Sequence, residues 1–138
     1  MNAEEVYRFL ESERLGVLST ARPDGRPEAA LMGFAATPEL EIIFDTVKSS
    51  RKYPILKENP RVAWVIGCAT EITVQYEGEA EELEDEELAK YKKIYFRKFT
   101  DGPARESWPG ITYFVTRPKW VRYCDYSPAA RRIEEQEF

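Results

Sequence analysis

Histidine is absent from the chain, and no other single absence excludes as much. His-carboxylate metal centres, Ser-His-Asp and Cys-His nucleophile systems and His-ligated haem all need an imidazole. Any chemistry must therefore use carboxylates, Tyr, Lys, Arg or an imported cofactor. Long apolar runs are also missing: none approaches the roughly 18 residues of a membrane span. Met1 to Leu10 carries Glu4, Glu5 and Arg8 where a signal peptide needs an apolar stretch. A cytoplasmic protein with no membrane partner is the expectation. Cysteine is scarce, and Cys68 and Cys124 lack metal-ligand spacing, so both are expected to be buried thiols and no metal site is predicted.

What is present suits a single domain over residues 1–138. Hydrophobic residues make up 43% and aromatics 13%, enough for a core, while 33% charge keeps the surface wet. The net charge is −5, but the acids are concentrated: Glu77 to Glu87 holds eight and no base, leaving seventeen acids against twenty bases elsewhere. Lys90, Lys92, Lys93, Arg97 and Lys98 follow, the acid-first, base-last order that complements a helix dipole. A solvated charged helix is predicted there, from about Asp85 to Phe99. An acidic chain without a larger basic face argues against nucleic acid as a partner.

Asn2 with Glu5 three residues on has capping-box spacing, and Val6, Phe9 and Leu10 give an opening helix its apolar face through Glu13. Leu15–Thr20 and Arg26–Phe34 read as strands around the Arg22-Pro23-Asp24-Gly25 turn. A third strand follows at Leu40–Phe44, making a meander. Ser49–Glu58 reads as a helix with a Ser cap, stopped by Asn59-Pro60. Val62–Ile66 and the alternation Ile72, Val74, Tyr76 predict two more strands. Ile111–Thr116 and Trp120–Asp125 are expected to flank a turn at Arg117-Pro118, and Arg131-Arg132 to lie in a frayed end. Seven strands and three short helices, mostly hairpin-connected, predict a mainly β antiparallel barrel with peripheral helices.

The densest chemistry lies in Asp45-Thr46-Val47-Lys48-Ser49-Ser50-Arg51-Lys52. Three cations, three hydroxyls and the free N–H groups of a helix start are what a phosphate dianion requires. A solvated basic helix start accounts for the same residues, and local sequence does not separate the two readings.

This segment carries a resemblance. A strand ending in Thr46, then Ser50-Arg51-Lys52, a helix, and Asn59-Pro60-Arg61-Val62 opening a strand resembles the pyridoxamine 5′-phosphate oxidase-like, FMN-binding split-barrel family. The likeness runs from about Tyr7 to Tyr126 and includes Pro23-Asp24-Gly25-Arg26-Pro27. It implies an antiparallel split β-barrel, FMN as cofactor, and a homodimer with flavin at the interface. It further implies that Ser50, Arg51 and Lys52 hold the phosphate, with Asp45 and Thr46 beside the flavin. Ala29, Ala30, Leu31 and Met32 would pass along the ring edge, and Thr73 or Gln75 would replace a family glutamine. Trp108, Trp120 and Tyr123 are candidates to cover the ring or to pack in the core, Tyr123 matching a family aromatic.

The departures are equally specific. Ala30 and Ala35 stand where the family oxidases carry Arg and Lys, and their C-terminal Arg-x-His-x-Arg is missing. An FMN-dependent oxidoreductase other than a true pyridoxamine phosphate oxidase is therefore expected. Its substrate, its electron donor and its catalytic residues stay unnamed. A flavin carrier or sensor without turnover, or an F420-dependent reductase, remain as alternatives.

Overall fold

The computed structural model describes residues 1–138. Helix α1 (Ala3–Ser12) starts at Asn2, whose side chain accepts from the Glu5 N–H at 3.1 Å, and buries Val6 and Leu10. Strands β1 (Leu15–Ala21) and β2 (Pro27–Gly33) form the first hairpin, turning through Gly25 at φ 91°. A two-residue strand, β3 (Ala35–Ala36), then pairs with β4 (Ile42–Val47). Helix α2 (Lys52–Glu58), β5 (Arg61–Ile66), β6 (Ile72–Glu82), helices α3 (Asp85–Lys98) and α4 (Gly102–Arg105), β7 (Ile111–Asp125) and β8 (Arg132–Glu137) complete the chain.

All ladders are antiparallel, in the order β2-β1-β5-β6-β7-β4-β3. β7 lends one edge to β6 along its whole length and the other first to β4, then to β8. The sheet curls round a core holding Phe34, Phe44, Trp64, Tyr76 and Phe114, closed at one end by α1. A second, smaller core lies outside β4 and β7, where Tyr91, Tyr95 and Phe99 recur every fourth residue on one face of α3 and its cap. The first half of β7 is thus buried on both faces, which explains why Ile111 to Thr116 carries no charged residue. No helix is long and apolar enough to cross a membrane.

The mainly β antiparallel architecture is as expected, with eight strands and four helices rather than seven and three. Several local expectations are corrected. Arg117-Pro118 is no turn: β7 runs through it, and Pro118, which lacks an N–H, sits at a bulge where Lys119 is the extra residue opposite Glu77-Gly78. Gly78 is required there, since a Cβ would meet the Arg117 carbonyl at 2.4 Å. The third strand is displaced to β4 and pairs with β3 and β7 rather than β2, so the meander breaks; Leu40 belongs to the preceding turn at φ 62°. The charged helix, by contrast, runs Asp85–Lys98 with Phe99 as its cap, as expected, and the Glu77–Glu82 part of the acidic run lies in β6. Arg132 is not frayed: it opens β8, pairs with Glu5 and lies over the Tyr123 ring.

Candidate functional site

The curled sheet does not close. β2 pairs only with β1, and β4 beyond Ile43 pairs only with β7, so each presents one unpaired edge of backbone N–H and C=O groups. The two strands approach across this seam, with Cα atoms within 8 Å of each other. At the end of β4 the chain turns through Ser49-Ser50-Arg51 into α2. Thr46 Oγ1 lies 3.1 Å from Ser50 Oγ, and the Ser50 N–H donates to the Val47 carbonyl at 2.9 Å.

The turn differs from the expected helix start. α2 begins only at Lys52, has seven residues, and its cap position Arg51 makes no side-chain bond, so there is no Ser cap. What remains is a set of donors without partners. The N–H groups of Ser49, Arg51 and Lys52 make no hydrogen bond within the chain. Nor do Lys48, Arg51 or Lys52 join any ion pair. Unspent N–H groups, two hydroxyls and free cations are the donor set that suits an anion such as a phosphate group.

The other predicted residues divide among several places. Ala30 and Met32 face inward from β2, whereas Ala29 and Leu31 lie on the outer sheet face. On that face Leu31, Val17, Val65 and Gln75 stand in one row across four strands, with Thr73 in the neighbouring row. Leu31 and Gln75 are separated by about 14 Å within one chain, three inter-strand steps. Trp108 is 52% exposed, and its segment is tied to the basic turn by the Lys48 N–H donating to the Gly110 carbonyl at 2.8 Å. Asp45 points away from the seam: it faces α3 and is spent on Arg105 at 2.9 Å. Tyr123 is buried against Phe9 and Arg132, eleven residues along β7 from Thr112, roughly 36 Å of strand. The fold of one chain does not bring it to the turn. Trp120 is half-buried on the outer face beside Arg122.

One group behind the turn escaped the sequence reading. Glu82, at the inward-facing end of β6, accepts from Tyr53 Oη at 2.9 Å, Lys57 Nζ at 3.0 Å and Thr112 Oγ1. Burial works to raise this carboxyl, but the bonds from Thr112, Lys57 and Tyr53 outweigh it and hold it below the ordinary carboxylate range. The only sequence sign was that Tyr53 and Lys57 share a helix face four residues apart.

The sequence profile of the pyridoxamine 5′-phosphate oxidase family matches residues 3–125. No curated protein sequence matches. A heme-binding protein from Mycobacterium smegmatis has the same fold at TM-score 0.82 and 19% identity, over 99% of this chain and 58% of that one, so this chain spans little more than half of that relative. General Stress Protein 26 from Bacillus anthracis str. Sterne matches at TM-score 0.74 and 24% identity, over 97% and 98% of the two chains. An F420 reductase matches at TM-score 0.65 and 27% identity, over 83% and 93%. With the open-seamed antiparallel sheet and the profile match across nearly its whole length, the chain belongs to the pyridoxamine 5′-phosphate oxidase family.

Proposed function

We propose that this protein is an FMN-binding oxidoreductase that works as a homodimer and is not itself a pyridoxamine 5′-phosphate oxidase. The observation that carries the cofactor is the turn after β4, with free N–H groups at Ser49, Arg51 and Lys52 and unpaired Arg51 and Lys52 side chains beside the seam. Ser50, Arg51 and Lys52 take the phosphate; Thr46 and the β2 edge from Ala29 to Met32 orient the ring. When bound, the flavin supplies two-electron chemistry at its N5, and the protein binds, orients and excludes water.

A second copy is supported by the outer sheet face. Leu15, Val17, Leu31 and Val65 are 39–65% exposed and adjacent in register on β1, β2 and β5, with Ala29, Ser19 and Ala63 in the next row, which ends at Glu77 on β6. An exposed apolar patch of this kind, bordered by charge, is suited to pack on its own copy.

The alternative of an F420 reductase has one favourable likeness, at 27% identity. Its longer anionic tail requires a basic groove. The cleft of about 430 Å³ beside the sheet offers Arg61 and Lys119 but opposes them with Glu77 and Glu79. FMN is the better fit. The visible spectrum of the purified protein and the mass of its released ligand decide the cofactor. Oxidation of NAD(P)H under turnover conditions separates an enzyme from a carrier. Against pyridoxine 5′-phosphate, turnover is expected to be negligible: Ala30 and Ala35 replace two cations, no imidazole exists, and Arg132 is held by Glu5. Turnover matching an authentic oxidase would refute that exclusion.

A further inference from the structure

We propose that Glu82 is a positioning residue for the anion-binding turn, holding Ser50, Arg51 and Lys52 in place by gathering Tyr53, Lys57 and Thr112 behind them. This rests on the reading that the turn binds the FMN phosphate. α2 has too few residues to be stable by itself and has no side-chain cap, so its position depends on what it packs against. Ile55 and Leu56 anchor its inner face. Its first-turn placement depends on Tyr53, whose ring packs edge-on against Phe114 at 6.1 Å and whose hydroxyl donates to Glu82. Tyr53 directly follows Lys52, and its N–H donates to the Ser50 carbonyl at 3.3 Å. On the other side, Thr112 donates to Glu82 and is the register partner of Thr46, which contacts Ser50. Glu82 therefore reaches both ends of the turn, and its side chain is only 12% exposed.

Electrostatics alone predicts the opposite sign. Removing a carboxylate near the turn makes the surroundings more positive, so Glu82→Gln should tighten an anion if Glu82 acts only through its charge. If it acts by position, the variant weakens the anion and leaves the uncharged part of the ligand unaffected. The test is titration of wild type, Glu82→Gln and Tyr53→Phe with FMN and with riboflavin, which lacks the phosphate. Glu81→Gln serves as control, since Glu81 lies on the other face of β6 and pairs with Arg117. Glu82→Gln should raise the FMN Kd about tenfold, and Tyr53→Phe about threefold, with riboflavin unchanged in both. Unchanged or tighter FMN binding overturns the proposal, as does an equal loss for FMN and riboflavin, the mark of a merely structural role. If Glu82→Gln does not fold, Tyr53→Phe, which keeps the ring on Phe114, decides by the same criteria. A wild type that binds riboflavin as tightly as FMN overturns the phosphate site itself, and Glu82's role with it.

Discussion

Replacing Arg51 by Ala separates binding from stability more cleanly than any other change at the turn. The guanidinium is exposed, joins no ion pair and caps no helix, so its loss orphans nothing in the free protein. Unfolding free energy is expected to move by less than about 0.5 kcal/mol. A phosphate about 4 Å away gains about 4 kcal/mol from one cation at an effective dielectric near 20, and about 1 kcal/mol in bulk water. The exposed rim of a seam lies between these limits, consistent with the range of about 1.5–3 kcal/mol for a hydrogen bond to a charged group. FMN affinity should fall by roughly 10- to 150-fold, with riboflavin affinity unchanged. The loss should shrink at about 1 M salt, where the screening length is about 3 Å. Flavin fluorescence titration measures all of this, with urea unfolding in parallel. Unchanged FMN affinity in a folded Arg51→Ala protein would sink the phosphate assignment.

Val65→Lys places a charge at the centre of the exposed apolar row, and should convert a particle of twice the 16.1 kDa chain mass into a monomer by sedimentation; persistence of the dimer would move the interface elsewhere. Glu82 has a folded pKa below its ordinary 4.5, so its network contributes fully above that value and is lost as pH falls through the lowered one. Wild type should accordingly lose stability on acidification more steeply than Glu82→Gln, and parallel profiles would contradict the depressed pKa. Gly78→Ala drives a Cβ toward the Arg117 carbonyl, a backbone atom unable to swing aside, and should destabilise by about 2 kcal/mol or more. A Tm within a degree or so of wild type would show that the bulge can relax.

Local chemistry was legible where a residue's role is settled by near neighbours. Asn2 caps α1, Gly25 turns the first hairpin, and the alternation in Ile72, Val74 and Tyr76 holds in β6. The Ser50-Arg51-Lys52 segment lies at a turn beside the seam, although helix α2 starts later than its serines suggested. Partners distant in sequence were not legible. Pro118 normally argues for a break, and only the Gly78 opposite it lets β7 continue. β8 is almost entirely polar and is held by Arg122–Glu135 and Arg132–Glu5, pairs no local window contains. Asp45 shares a strand with Thr46, yet strand parity sends it to the opposite face, and Glu82 meets α2 across more than twenty residues.

The double use of β7 sets the order in which this chain can fold. β1, β2, β5 and β6 already form a sheet among themselves, but β4 has no long partner, and neither core has its second wall, until residues 111–125 arrive. During synthesis at about 5–20 residues per second, the curled sheet therefore waits several seconds with Phe44, Trp64 and Tyr76 under-covered. Closure then depends on pairings far apart in sequence, which are intrinsically slow. A nascent chain stalled before Ile111 should be a chaperone client and protease-sensitive, and one extended past Asp125 should acquire protection in a single step.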